Sequence, residues 1–162
     1  MENAFLLRAE KALAEKSMFW AAKPNYEVAV DQFNQAANLY KANKRYTEAS
    51  QCFIRAAQCY YTIDSLFLAA KAYENAAIQL SLGKIDAQQI IPIYRKAADL
   101  FALHGVHDRA CEMLEKAAGV ANGQERLKIL MDTLELYRQE DRLKFSGETF
   151  KKSISCALQL ER

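Results

Sequence analysis

Large and small apolar residues recur along the chain with the spacing of one face of an α-helix. A large residue is followed three positions later by a pair of small residues and then by another large one, as from Phe33 to Tyr40. These positions fall at i, i+3, i+4 and i+7, which share one helical face. The first small residues of the successive units are Ala36, Ala56, Ala76, Ala97 and Ala117. Steps of 20 or 21 residues fit one helix and a short turn, so two units form a hairpin of about 40 residues, a period typical of helical solenoids.

This spacing predicts an all-α fold, a helical solenoid of about eight helices. The expected helices cover residues 3–16, 26–42, 46–61, 65–82, 88–103, 107–121, 124–139 and 143–160. We expect one repeat domain over residues 1–162, made of a first helix with an apolar loop (1–25), regular repeats (26–121) and a degenerate last hairpin (124–160).

A few positions modify this regular picture. Asn25 follows a proline and is the expected N-cap of the second helix. Pro92 falls in the second turn of the fifth helix, so that helix either starts late or kinks there. The last helix carries an apolar stripe made of Phe150, Ile154, Ala157 and Leu158. Because terminal repeats usually present a polar outer face, this stripe predicts a further helix, and we expect the chain to be the first part of something longer.

The composition adds that the chain is an ordinary globular protein, with 51% hydrophobic and 26% charged residues. Its 22 basic and 20 acidic residues are interspersed and give a net charge of +2, which argues against a nucleic-acid-binding face. No uncharged apolar stretch approaches the roughly 18 residues of a membrane span, and the N-terminus lacks a signal-peptide pattern. We therefore expect a soluble protein inside the cell.

Few residues are candidates for catalysis or for binding a metal or cofactor. Four cysteines, at positions 52, 59, 111 and 156, show no C-x-x-C spacing and are expected to be reduced and buried. His104, His107 and Cys111 are the one metal candidate, but a fourth ligand is missing, and a turn histidine, a helix-start residue and a core cysteine are the more ordinary interpretation. Phosphate-binding and hydrolase motifs are absent from the sequence, so we expect neither an enzyme nor a cofactor or metal.

An apolar loop interrupts the repeat after the first helix. Met18, Phe19 and Trp20 are consecutive large apolar residues, and Lys16 and Lys23 flank them. One interpretation is structural: the three residues could cover the start of the second helix as a hydrophobic staple. The other is a loop that dips into a bilayer, where each lysine near anionic head groups adds about 1 kcal/mol.

A basic turn follows the second helix. Lys44 and Arg45 lie in this turn, and because alternate turns of a stack share an edge, Lys84 should lie beside them, opposite the apolar loop. Such a row could guide an acidic helical partner across the surface. Turn lysines that only improve solubility are an equally good interpretation of these residues alone.

Two longer stretches make the sequence resemble the soluble NSF attachment proteins, the SNAP family. They are the run from Asn34 to Lys44 and the run from Leu68 to Ala76, and the second is closer to the gamma than to the alpha isoform. The resemblance covers nearly the whole chain but only about the N-terminal half of a family member. It implies a TPR-like right-handed α-solenoid, a twisted sheet of about eight antiparallel helices, followed by a C-terminal bundle, in an adaptor that is not an enzyme. Family members bind the SNARE complex, a syntaxin-type helical bundle, and recruit the ATPase NSF for disassembly in vesicle trafficking.

The resemblance also implies roles for particular residues. Met18, Phe19 and Trp20 match the loop with which family members attach to membranes, which implies a cytoplasmic protein peripherally associated with membranes. Lys44 matches a basic turn position on the SNARE-facing surface. The alpha-like pattern has basic residues after Gly105, where this chain has Val106 and Glu112, so a different partner preference is expected. The end of the family fold that touches NSF is missing, and we expect no NSF stimulation unless a C-terminal domain is present elsewhere.

The alternative is a TPR-type scaffold or co-chaperone module that holds a short peptide in its groove. The period of about 40 residues exceeds the 34 of that repeat, and the aromatic, glycine and proline signature of that repeat is missing. A TPR-type module should bind short acidic C-terminal peptides, whereas a SNAP-type adaptor should bind assembled SNARE bundles.

Overall fold

The computed structural model describes residues 2–14 and 24–161, and the all-α class predicted from the sequence is confirmed. Within these residues the chain forms eight α-helices and no strand. The helices are α1 (Glu2–Ala14), α2 (Tyr26–Ala42), α3 (Tyr46–Thr62), α4 (Leu66–Leu82), α5 (Ala87–Leu103), α6 (His107–Val120), α7 (Gly123–Gln139) and α8 (Gly147–Leu160), with a short 3₁₀ helix at Leu143–Phe145.

Most helix boundaries lie within one or two residues of the prediction, but the last helix begins later than expected. Residue 143 starts a 3₁₀ turn instead of an α-helix, and the Ser146 amide donates to the Leu143 carbonyl at 3.0 Å. The Ser146 hydroxyl donates to the same carbonyl at 2.7 Å. A serine that satisfies nearby backbone in this way competes with helix propagation, so α8 begins at Gly147.

The helices α2, α3, α4, α5 and α7 end in the same backbone motif. After α2, the Lys44 amide donates to the Lys41 carbonyl at 3.0 Å and the Arg45 amide to the Tyr40 carbonyl at 2.8 Å, which defines a Schellman turn. Each of the five turns contains one residue with a positive φ. In chain order these residues are Lys44 (57°), Asp64 (59°), Lys84 (53°), Gly105 (82°) and Asp141 (53°). Only one of the five is glycine. The turn hydrogen bonds therefore hold four L-residues in the left-handed conformation that normally favours glycine.

Capping residues account for two predicted features. Asn25 is the N-cap of α2, as expected, because its Oδ1 accepts a hydrogen bond from the Val28 amide at 3.1 Å. Helix α5 does not start late: Asp86 caps it through the Gln88 amide at 3.0 Å, and Pro92 lies inside the helix. A proline there removes the intrahelical hydrogen bond to the carbonyl four residues earlier, that of Gln88.

The chain divides into two compact units, Met1–Ile85 and Asp86–Arg162. In the first, α1 packs on α2, α2 on α3 and α3 on α4; in the second, α5 packs on α6, α6 on α7 and α7 on α8. The alanine pairs of the repeat are buried in both units, so small residues lie where neighbouring helices approach most closely. A single domain over residues 1–162 stays a prediction.

All four cysteines are free and buried, which confirms the sequence interpretation. Burial raises the pKa of the Cys52 thiol to about 11, and it raises that of the Cys111 thiol to about 11 as well. A thiol with such a pKa is almost entirely protonated at neutral pH and is a poor nucleophile and metal ligand. These cysteines are therefore packing residues.

Candidate functional site

The proposed membrane residues Met18, Phe19, Trp20 and Lys23 lie outside the described residues. On the far side of that segment the Asn25 amide donates to the Ala12 carbonyl at 3.0 Å, which joins the start of α2 to the end of α1.

The start of α2 also lies beside the turn between α3 and α4, because Pro24, Tyr26 and Ile63 line one cleft. We call this side of the first unit, marked by Ala12, Pro24, Asn25 and Ile63, the loop edge.

The predicted basic residues lie at the other end of α2. A Cβ atom placed on Gly83 would lie 3.1 Å from Cβ of Tyr46, so the turn after α4 contacts the residue that follows Arg45. Lys44, Arg45 and Lys84 thus share one side of the first unit, which we call the basic edge. Because α2 has 17 residues, the two edges are about 25 Å apart.

The three basic side chains differ in their surroundings. Arg45 donates from Nη2 to Glu48 Oε1 at 2.7 Å, and its guanidinium lies 4.7 Å from the centroid of the Tyr40 ring. This hydrogen bond from Arg45 holds the pKa of Glu48 below its ordinary value. Lys44 and Lys84 are exposed, and the described part of the chain shows no ion pair to either. The two lysines are therefore the cations that a partner could neutralise.

Acidic groups moderate the charge of the basic edge. Asn43 donates from Nδ2 to Glu2 Oε1 at 2.8 Å, which places the start of α1 beside the turn after α2. A hydrogen bond from its own backbone, followed by the one from Asn43, lowers the pKa of Glu2, so this carboxylate is ionised at neutral pH. The basic edge is therefore a mixed surface whose unpaired cations are its two turn lysines.

The segment after Gly105 shows why Arg109 does not supply a basic surface there. Arg109 donates to Glu112, and Lys116 Nζ lies 2.9 Å from Glu112 Oε1. Burial alone would raise the pKa of Glu112, but the hydrogen bond from Lys116 and the charges of Lys116 and Arg109 outweigh it and lower that pKa. The Arg109 guanidinium also lies 5.3 Å from the centroid of the Phe101 ring. Both cations are thus held within the second unit.

The metal candidate has a structural role instead. His107 Nε2 lies 3.3 Å from Glu140 Oε2, so the start of α6 contacts the end of α7. The described residues contain no group of three histidine, cysteine or acidic side chains that could hold a metal ion. His107 is accordingly a contact between two helices.

The apolar stripe of α8 is exposed, as expected. Phe150, Ile154 and Leu158 are 55%, 46% and 56% accessible, while the opposite side of the helix buries small or polar residues such as Thr149 and Ser153. The helix therefore presents its larger apolar side chains to solvent.

The sequence interpretation missed a polar groove in the first unit. It has a volume of about 350 Å³ and is lined by residues of α2, α3 and α4. Its polar lining consists of Asn34, Asn38, Lys41, Lys71, Asn75 and Gln79. We call these six residues with their floor the amide groove. Asn34 and Asn38 are four residues apart, as are Asn75 and Gln79, and this spacing could have indicated the groove. Both pairs, however, lie beside the repeated apolar positions that dominate the pattern.

Repeated helical hairpins with exposed basic turns and a polar groove define a helical binding scaffold. A model of the soluble NSF attachment protein family matches residues 1–161. The chain therefore belongs to the SNAP family, whose members are attachment proteins and not enzymes. No helix among the described residues is both long enough and apolar enough to cross a bilayer.

Two relatives agree with this membership. The chain is 29% identical to the gamma-soluble NSF attachment protein of Dictyostelium discoideum, over 98% of this chain and 49% of that protein. It is 25% identical to the alpha-soluble NSF attachment protein of Vitis vinifera, over 98% of this chain and 54% of that protein. The chain thus spans about half the length of both relatives. Among solved structures, MamA is similar at 15% identity and a TM-score of 0.43, over 83% of this chain and 90% of that one.

Proposed function

We propose that this chain is a SNAP-type adaptor that binds SNARE complexes, that is, syntaxin-type helical bundles, at membranes. The family match over residues 1–161 carries this proposal. In a protein that also has a C-terminal domain, the adaptor recruits NSF for SNARE disassembly in vesicle trafficking. Its place is the cytoplasm, peripherally associated with membranes, and it uses neither a cofactor nor nucleic acid.

The basic edge is the proposed SNARE contact. Lys44 and Lys84 are exposed without ion pairs to described residues, and Arg45 adds a cation that Glu48 already neutralises in part. Exposed ion pairs contribute about 0.2–1 kcal/mol each, so these residues orient the bundle and speed its association more than they determine affinity.

The apolar loop is the proposed membrane contact, through Met18, Phe19, Trp20 and Lys23. The described residues on either side of the apolar loop lie at or close to the loop edge. This edge is about 25 Å from the basic edge along α2. A tether at one edge leaves the other free for a partner anchored in the same bilayer. Holding the adaptor near the membrane raises its effective concentration for that partner.

The test is recovery of assembled SNARE complexes by the chain and by Lys44→Glu, with Lys128→Glu as the matched control. Lys128 is an exposed lysine of α7 in the second unit, so its reversal changes the net charge equally without touching the basic edge. We expect Lys44→Glu to weaken binding about fivefold, which corresponds to about 1 kcal/mol, and Lys128→Glu to bind as the parent does. Equal recovery by both variants would remove Lys44 from the binding surface.

A further inference from the structure

The amide groove has the chemistry of a peptide-binding site. Side-chain amides both donate and accept hydrogen bonds, so they can pair with either group of a peptide backbone. The groove presents amides from two helices, Asn34 and Asn38 of α2 and Asn75 and Gln79 of α4, over Phe53 and Tyr60 of α3. Asn34 donates from Nδ2 to the Tyr60 hydroxyl at 3.5 Å, which joins one wall of the groove to its base. The groove thus has polar side chains on both sides and aromatic side chains at its base.

An unsatisfied atom points to a missing ligand. Gln79 is only 3% accessible, and its Oε1 has no hydrogen-bond partner among the described residues. Buried polar atoms are nearly always hydrogen-bonded, so one without a partner needs an explanation. Because Gln79 lines the groove, a ligand donor that reaches its side chain would satisfy this oxygen.

The charge of the groove selects an acidic ligand. Lys41 and Lys71 are both exposed, and no ion pair joins either to a described residue. The described lining contains no carboxylate. Two cations without counter-charges therefore flank the four amides, and aspartate or glutamate side chains would neutralise them.

The spacing of the amides favours an extended ligand over a helical one. Residues four apart on a helix are separated by about 6 Å along its axis, whereas alternate residues of an extended chain are about 6.6 Å apart. Successive amides on each helix can therefore meet alternate residues of an extended peptide. A helical ligand has already satisfied its backbone N–H groups internally and could not supply them to Gln79. From Asn34 to Lys41 the groove is about 10 Å long, which fits about three extended residues.

We propose that the amide groove binds an extended acidic peptide segment, with Asn34, Asn38, Asn75 and Gln79 pairing with its backbone and Lys41 and Lys71 with its carboxylates. This site lies across α2 and α4 and differs from the basic edge formed by the turns. It does not depend on membrane attachment or on binding of a SNARE bundle.

The test is fluorescence anisotropy of a dye-labelled hexapeptide of alternating aspartate and alanine, titrated with the full chain. We expect saturable binding, and at least tenfold weaker binding of the same peptide with lysine in place of aspartate. Lys71→Glu should weaken binding of the acidic peptide at least fivefold. Lys128→Glu, which makes the same charge change on an exposed lysine of the second unit, should alter it less than twofold.

Gln79→Leu separates loss of the site from loss of the fold. Leucine fills a similar volume and removes the unsatisfied oxygen, so the variant should melt no lower than the parent while binding the acidic peptide at least threefold more weakly. Absence of saturable binding, or equal effects of Lys71→Glu and Lys128→Glu, would overturn the proposal. Tighter binding of a helix-stapled peptide of the same composition would contradict the extended ligand. Lys44→Glu should reduce SNARE recovery but not peptide binding, so the two proposals can fail separately.

Discussion

The same substitution should have opposite effects at two exposed glycines. Gly105 has a φ of 82° in the turn after α5, whereas Gly119 lies within α6. A Cβ atom at either position would meet nothing within 4 Å. Replacement by alanine therefore changes no packing, and only the conformational preference of the backbone decides the result.

The magnitudes follow from that preference. The left-handed conformation costs a non-glycine residue about 1–2 kcal/mol, and the reduced entropy of the unfolded chain returns about 0.4–1 kcal/mol. Gly105→Ala should thus lower the free energy of unfolding by about 1 kcal/mol. Gly119→Ala meets no such penalty and gains helix propensity, which should raise the free energy of unfolding by about 0.5–1 kcal/mol.

Urea denaturation followed by far-UV circular dichroism measures both changes, and the melting temperature of a chain of this size should shift by about 2–4 °C per kcal/mol. If Gly105→Ala did not lower the free energy of unfolding, the argument that the Schellman turn demands a left-handed residue at this position would be refuted. A change of the same sign at both glycines would refute it as well.

Three other expectations concern the membrane loop, the thiols and NSF. Phe19→Ser with Trp20→Ser should weaken association with liposomes that contain anionic lipids and leave the helical content unchanged; undiminished association would remove the loop from the membrane contact. Burial raises the pKa of Cys52 and of Cys111 to about 11 from an ordinary value of 9.0. The stability that protonated thiols contribute is present below pH 9 and is lost as the pH rises towards 11, so the urea midpoint should fall across that window. The midpoint of Cys111→Ala should fall less. A midpoint that does not change with pH would contradict this expectation. The chain alone should not raise ATP hydrolysis by NSF in a coupled assay, and a clear rise would show that residues 1–162 suffice for that contact.

Helix positions could be predicted because the apolar spacing and the turn residues agree. Asn25 caps the second helix because its side chain competes well for the first free amides, a preference that the residue type reveals. The pattern predicts the last helix four residues too early because Leu143 lies seven residues before Phe150 and fits the helical spacing, whereas the local hydrogen bond of Ser146 ends a 3₁₀ turn there.

The turns and the groove were harder to predict, for different reasons. Lys44 and Lys84 do not signal a left-handed conformation, because lysine adopts it only where surrounding hydrogen bonds compel it. The basic edge could still be placed from the repeat, since its turns alternate along the chain. The four-residue spacing of its amides was the only signal of the amide groove. Which faces of α2 and α4 remain open, and that Gln79 Oε1 lacks a partner among the described residues, do not follow from the sequence pattern.

The most direct test of the adaptor proposal is a binding titration of this chain with an assembled SNARE four-helix bundle and, separately, with its unassembled components. A SNAP-type adaptor should bind the assembled bundle saturably and at least tenfold more tightly than any single component, and it should bind more weakly at higher salt because the contacting lysines are exposed. Equal affinity for the bundle and its components, or no saturable binding at low salt, would contradict the proposal.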